Sequence, residues 1–199
     1  DSTIVVNNGV DFKSFRQIKE SRDKIRNGLN IPKDAYVVGH IGRFSKQKNH
    51  LFLVEIFAKL YEKKKNSFLL LIGTGPTKEK VIKKASELGV QERILILSNR
   101  TDIPQLLKSM DVFLFPSLFE GLSVTLVEAQ VAGLRCVISD TIKPHNVLVE
   151  STIQVSLESS LEVWCDAILD VNRKSVSHNN ISDFDMNNVV KYLANLYKN

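Results

Sequence analysis

Short runs of β-branched and large apolar residues alternate along this chain with longer segments of helical period. That alternation constrains the fold more than any other feature. Tyr36-Val37-Val38-Gly39-His40-Ile41 is the first clear run. Residues 68–72, 93–97, 111–115 and 135–138 follow, with a weaker run near 153–155. Between them, residues 49–65 place Leu51, Leu53, Val54, Phe57, Ala58 and Leu60 at helical spacing. Further helices are expected over 77–88 (ended by Gly89), over 103–109 with Asp102 as cap, over 122–132, and near 159–171 and 185–197. Upstream, residues 3–6 read as a short extended run closed by the turn Asn7-Asn8-Gly9, and residues 15–28 as one surface helix. Strands apolar on both faces and separated by helices make a parallel sheet covered on both sides. The expected fold class is therefore α/β: a single Rossmann-like, doubly wound parallel sheet of about six strands.

The 199 residues suffice for one domain with its own core. With 43% hydrophobic and 25% charged residues the chain is neither disordered nor fibrous. No apolar run reaches the ~18–20 residues of a membrane-spanning helix. Lys and Arg number 27 against 22 Asp and Glu, a net charge of +5. That mild excess suits an anionic small ligand or a peripheral membrane contact and requires no nucleic acid. Cys136 and Cys165 have no CxxC neighbour, so a reduced, cytoplasmic setting is expected, with Cys136 a core strand residue. The chain opens on Asp1 with no leader pattern, and a piece of a longer protein is expected.

Ligands of doubly wound sheets sit outside the carboxyl ends of the strands. The segments there are Gly42-Arg43-Phe44-Ser45-Lys46-Gln47-Lys48-Asn49, Gly73-Thr74-Gly75-Pro76, Ser98-Asn99-Arg100-Thr101, Pro116-Ser117-Leu118-Phe119-Glu120-Gly121 and Ser139-Asp140-Thr141-Ile142. Gly73-Thr74-Gly75 begins like a dinucleotide fingerprint, but residue 78 is Lys and the loop follows the wrong strand. The first loop carries no such fingerprint, and there is no Walker A loop, so neither NAD nor a P-loop nucleotide is expected.

Asn8-Gly9-Val10-Asp11, then Gly42-Arg43-Phe44-Ser45 with Lys48-Asn49-His50, then Glu120-Gly121-Leu122 ending in Glu128-Ala129, occur in this order. The ordered set resembles the donor-binding half of the retaining family-four glycosyltransferases. Glu120 and Glu128, separated by seven residues, carry most of the likeness. The resemblance implies the C-terminal half of a GT-B fold, whose N-terminal acceptor domain lies outside this chain. Residues 1–199 would form the nucleotide-sugar donor-binding domain. Residues 1–11 would end the interdomain connection, and 172–199 would hold a Ser/Asn-rich connection (172–183) plus a C-terminal helix. It implies transfer of a hexosyl unit from a UDP- or GDP-linked sugar, with retention, to a glycan or lipid-linked acceptor. Many members carry a Gly-Gly pair followed by Glu where this chain has Thr141 to Asn146.

The residue chemistry agrees with the resemblance. Arg43 offers a planar fork and Lys48 a point charge to two phosphates. A helix starting near Leu122 would aim the backbone N–H groups of Gly121, Leu122, Ser123 and Val124 at an anion. Glu128, between Val127 and Ala129, needs donors, and the resemblance assigns it the ribose hydroxyls. It assigns Glu120 to the donor sugar, and the backbone around Asn99 and Arg100 is the expected base contact. A helix from 122 sets Glu128 nearly two turns in, roughly 10 Å from the loop. Arg43, Lys48 and Glu120 would be catalytic, the two cations stabilising charge on the departing diphosphate.

Each residue also has a plainer role. Arg43 could pair with a surface carboxylate, Lys48 could be solvated, Glu128 could meet an interior arginine, and Glu120 could simply favour a helix N-terminus. Gly42 and Gly73 serve a ligand or a turn, as does Gly75. His40 and His50 read as packing residues, and Lys63, Lys64 and Lys65 as a solvated helix end. No metal cluster and no cofactor are expected, the nucleotide sugar being a substrate. A GT-B nucleotide-sugar 2-epimerase and a non-catalytic nucleotide-binding module remain open beside the transferase.

Overall fold

The structure, a computed structural model, describes residue 4, residues 6–170, residue 172 and residues 180–197. Its strands are β1 (Tyr36–Ile41), β2 (Ser67–Ile72), β3 (Ile94–Leu97), β4 (Val112–Phe115), β5 (Arg135–Ser139) and β6 (Thr152–Val155). They form one parallel sheet in the order β3-β2-β1-β4-β5-β6, the doubly wound Rossmann arrangement. The helices are α1 (Phe12–Arg16), α2 (Arg22–Gly28), α3 (His50–Lys63), α4 (Lys78–Glu87), α5 (Ile103–Ser109), α6 (Val124–Val131), α7 (Leu161–Leu169) and α8 (Met186–Leu196).

The strands alternate their side chains between two cores, as their period of two requires. Val38, Leu69, Leu71, Leu114 and Val137 face one layer with residues of α3, α4 and α7. Val37, Leu70, Phe113, Phe115 and Ile138 face the other, with residues of α5 and α6. A third cluster of Val10, Phe12, Val127, Leu148 and Phe184 seats the amino-terminal segment. Val10 donates to Phe184 O at 2.8 Å and accepts from Met186 N at 2.9 Å, making a parallel bridge to Asp185. Gly9 lies so close to this seam that a Cβ would stand 2.8 Å from Met186 Sδ.

Several boundaries differ from the expectation. Residues 15–28 are not one helix, because two caps divide them: Asp11 accepts from Lys13 N, and Ser21 accepts from Lys24 N. Arg26 of α2 is buried, donating to Ser109 O, Lys33 O and Ala35 O and pairing with Asp111 at 2.7 Å, where Arg22 also arrives. Arg93 belongs to a 3-10 turn, so the third strand starts at Ile94. Asp102 does not cap α5 with its side chain, because its carboxylate is engaged by Arg100. The helix after β4 starts at Val124 rather than Leu122. Ile4 and Val6 lie in no strand, and the rest of the expected extended run, at 3 and 5, falls outside the described residues. So do residue 171 and most of the expected connection, 173–179.

β1 pairs with β2 on one side and β4 on the other, so the strand order reverses there. The loops that leave β1 and β4 flank the crevice in which doubly wound sheets hold their ligands.

Candidate functional site

The β1 loop rests on the β2 loop backbone to backbone. Gly42 N donates to Ile72 O at 2.9 Å, Phe44 N to Thr74 O at 2.9 Å, and Thr77 N to Phe44 O at 3.2 Å. Gly73, at φ +151°, leaves no room for a side chain, since its Cβ would stand 2.1 Å from Gly42 O. Gly75, at φ +154°, would strike Phe44 O at 2.3 Å. Both positions thus have a packing reason to be glycine.

The same loop is stitched to the β4 loop. Leu118 N donates to Gln47 O at 2.8 Å, Gln47 Nε2 to Phe119 O at 3.0 Å, and Asn49 Nδ2 to Pro116 O at 3.1 Å. Asn49 takes a left-handed conformation at φ 55°, which asparagine tolerates better than most residues. These bonds bring Lys48 Nζ to 2.9 Å from Glu120 Oε1, with side chains only 15% and 7% exposed. The ammonium also stands 4.5 Å from the Phe115 ring centroid. Arg43, on the same loop, is exposed and makes no ion pair among the described residues.

Two buried amides that the sequence reading did not single out brace the crevice from behind. Asn146, fully buried, accepts from Ser123 N at 3.1 Å and donates to Gly121 O at 3.0 Å. Gln130 donates to Asn146 O at 2.9 Å and accepts from Leu148 N at 2.7 Å and Thr152 Oγ1 at 3.0 Å. Gln130 stands between Ala129 and Val131 on an apolar helix, and that polar interruption is the one signal that could have found it. The stretch where the chain departs from the family pattern therefore holds the β4 loop in place. Ser139 Oγ and Thr141 Oγ1 hold it further by donating to Ser117 O.

At the start of α6, Leu126 N and Val127 N both return to Ser123 O, and no side chain caps the helix. The Val124 and Thr125 N–H groups stay open toward an anion. Ser123 N is engaged by Asn146, and Leu122 packs against the third cluster. Glu128 is four residues past Val124, about 6 Å along the axis, so it lies one turn into α6 rather than two. Half-buried, it has no ion-pair partner among the described residues, and burial raises its carboxyl pKa. On the β3 loop, Asn99 is left-handed at φ 53° and exposed, while the Arg100 guanidinium closes on Asp102.

The remaining candidates sit elsewhere. His40 and His50 are buried against each other, ring centroids 4.7 Å apart, with His40 Nδ1 2.9 Å from Leu114 O. Lys63 pairs with Asp166 at 3.0 Å, and Lys64 and Lys65 lie over the rings of Tyr36 and Tyr61. Among the described residues no helix is long and apolar enough to cross a membrane.

Fold and crevice define a Rossmann-like domain whose charged groups gather at the switch point of its sheet. The chain belongs to the family described as "Glycosyl transferases group 1", whose model matches residues 21–168. It is 35% identical over 162 residues to a putative glycosyltransferase, EpsF, of Bacillus subtilis strain 168, covering 81% of this chain and 42% of that relative. It is 28% identical over 206 residues to a UDP-Gal:alpha-D-GlcNAc-diphosphoundecaprenol alpha-1,3-galactosyltransferase of Escherichia coli, covering 97% of this chain and 53% of that one. The chain thus spans about half the length of these relatives. In structure it is similar to Anabaena HepE, solved with UDP-glucose: TM-score 0.82 at 21% identity, covering 98% of this chain and 57% of HepE. The fold is accordingly the C-terminal half of a GT-B architecture.

Proposed function

We propose that this chain is the donor-binding half of a retaining glycosyltransferase that moves a hexosyl unit from a nucleotide diphosphate sugar to a glycan or lipid-linked acceptor. The observation that carries the reading is the meeting of Lys48 and Glu120 at the switch point, beside the open N-terminus of α6. Arg43, Lys48 and the Val124 and Thr125 N–H groups receive the diphosphate, and they stabilise the charge that grows there as the glycosidic bond breaks. Removing one such preorganised donor typically costs ~3–4 kcal/mol of transition-state stabilisation. Glu120 takes hydroxyls of the sugar, Glu128 the ribose, and the backbone at Asn99 and Arg100 the base. UDP is the first nucleotide to test, because HepE was solved with UDP-glucose and the Escherichia coli relative is named for UDP-Gal. That relative's name carries a diphosphoundecaprenol acceptor, which supports a lipid-linked acceptor here, and work at the cytoplasmic face of a membrane is part of the proposal. Residues 1–11 then end the connection to an acceptor domain, and 172–199 hold a further connection and the C-terminal helix.

Thermal unfolding of this chain with and without UDP, GDP and NAD tests the reading. A rise in Tm with UDP or GDP in the absence of added metal is expected, and none with NAD. A response to NAD alone, or one that strictly requires Mg²⁺, overturns it.

A further inference from the structure

The pairing of β1 with β4 runs over Val38–Val112 and Gly39–Phe113. One residue further toward the crevice, the His40 side chain turns to the neighbouring strand, with Nδ1 2.9 Å from Leu114 O. A carbonyl oxygen only accepts, so Nδ1 carries a proton. Burial first, and His50 second, push the His40 pKa well below its ordinary value, so the ring is neutral and that proton is its only one. Nε2 is then a bare lone pair. The ring is fully buried, stacked on Phe113 and Phe115 at centroid distances of 6.0 and 5.3 Å and edge-on to His50 at 4.7 Å, which fixes its orientation.

Nε2 faces the Lys48 side chain across Gly42. A Cβ on Gly42 would stand 2.9 Å from His40 Nε2 and 3.3 Å from both Cδ and Cε of Lys48, so nitrogen and stem meet over one bare Cα. Nε2 has no hydrogen-bond partner among the described residues. A buried acceptor without a donor destabilises a fold, which sets this ring apart from an apolar one of the same shape. The Lys48 ammonium meets Glu120 Oε1 at 2.9 Å and the Phe115 ring at 4.5 Å, and the negative end of the imidazole dipole lies behind its stem. All three favour its charge. A proton on Nε2, in the other tautomer or in the charged ring, would reverse the last of them.

We propose that His40 is a positioning residue for Lys48: its neutral ring, with Nδ1–H on Leu114 O and the Nε2 lone pair turned to the Lys48 stem, holds the ammonium over Phe115 and toward Glu120. His40 stays buried and touches no ligand; it acts through Lys48. Its bearing on phosphate rests on the donor reading, whereas its hold on Lys48 does not.

The test has a ligand-free arm and a UDP arm. In the first, nitrogen-15 NMR of the His40 ring reads its tautomer, and proton NMR reads the Lys48 ε-methylene, which the Phe115 ring current shifts upfield. The Nδ1–H tautomer and an upfield ε-methylene are expected in the native chain. His40→Asn keeps an amide N–H near the place of Nδ1 for Leu114 O but lacks Nε2, and His40→Gln can turn an amide oxygen to the place of Nε2. The upfield shift should be lost in His40→Asn and largely restored in His40→Gln. In the second arm, calorimetry, His40→Asn should weaken UDP about fivefold or more and leave uridine nearly unchanged. It should have no further effect on UDP once Lys48 is replaced by Ala. A purely structural histidine would weaken uridine and UDP alike, in the Lys48→Ala background as well. If His40→Asn does not fold, His40→Phe, which keeps the ring packing and lacks both nitrogens, takes its place with the same expectations. An Nε2–H tautomer, an unmoved Lys48 resonance in the variant, or equal losses for UDP and uridine overturns the proposal. If the native chain binds no UDP, the donor reading fails, and the first arm decides the hold on Lys48 by itself.

Discussion

Lys48 and Glu120 come from loops that follow different strands, and the structure closes them into an ion pair of 2.9 Å across the switch point. The two groups assigned to opposite parts of one ligand are thus ion-paired with each other. If the crevice takes a diphosphate as proposed, the phosphates compete with the carboxylate for the ammonium. In the proposed reading Glu120 is therefore both a sugar contact and a competitor for Lys48.

This competition makes the two substitutions unequal. Lys48→Ala should weaken UDP by ~1.5–3 kcal/mol, the scale of a hydrogen bond to a charged group. Glu120→Gln should tighten free UDP severalfold, because it frees Lys48 and removes a negative neighbour of the phosphates. It should not tighten the nucleotide sugar to the same degree, since the hydroxyl contact is lost. The double variant should show a coupling of ~0.5–3 kcal/mol between the sites. Calorimetry on all four proteins decides it, and a Glu120→Gln that binds UDP as weakly as Lys48→Ala would show that the pair is not exchanged for phosphate.

Glu128 is a carboxylate held in part-buried surroundings with no ion-pair partner among the described residues, and burial raises its pKa. Such a charge opposes folding until a ligand supplies donors. Glu128→Gln should raise the Tm of the free chain while weakening UDP about tenfold or more, a loss of ~1.5–3 kcal/mol. Opposite signs for stability and binding mark a ligand-contacting residue. A variant that lowers both would make Glu128 a structural group.

Gly73→Ala tests the seam between the β1 and β2 loops. The new methyl would meet Gly42 O at 2.1 Å, and a backbone carbonyl cannot yield as the end of a flexible side chain can. Together with the positive φ, the strain should cost ~1–3 kcal/mol of stability in denaturant unfolding. Arg43 rides on the displaced loop, so UDP affinity should drop as well. Gly89→Ala, where a Cβ meets nothing within 4 Å, is the comparison. Its φ of +67° makes it report the conformational strain alone.

Much of this was legible in the residues. Apolar runs between helical segments dictated the parallel sheet. That the loops of Lys48 and Glu120 share one rim followed from placing every loop at the carboxyl ends of strands. What escaped was set by tertiary contact. Ser21 begins a second helix inside a charged stretch whose sparse apolar residues showed no break. The start of α6 falls at Val124, because Ser123 is extended and its carbonyl is the first to accept within the helix, from Leu126 N and Val127 N. The pairing of Lys48 with Glu120 was equally hidden, because a sequence places two loops on one rim without fixing the distance between their side chains.

The two buried histidines give the domain a pH dependence. Burial first, and the Lys48 charge second, lower the His50 pKa to about 4. His40 is pushed well below its ordinary value by burial, then by His50, against the raising effect of its bond to Leu114 O. In the unfolded chain both take up protons near pH 6.5. Below that pH and down to about 4 the unfolded chain binds more protons than the folded one, so stability falls as pH drops through this window. Above it the histidines add nothing. His50 alone accounts for about 2 kcal/mol lost between pH 7 and pH 5. Glu128 has the opposite sign: its raised pKa makes the folded chain take up a proton first, which offsets part of the loss at the acid end. Urea unfolding at pH 7, 6 and 5 should show the decline for the native chain. His50→Phe keeps an aromatic ring beside Phe44, which stacks on His50 at 4.2 Å, and removes the titrating group. Its decline should be shallower by about 2 kcal/mol at pH 5. Equal slopes for the two proteins would mean that His50 titrates as freely in the folded domain as in the unfolded chain.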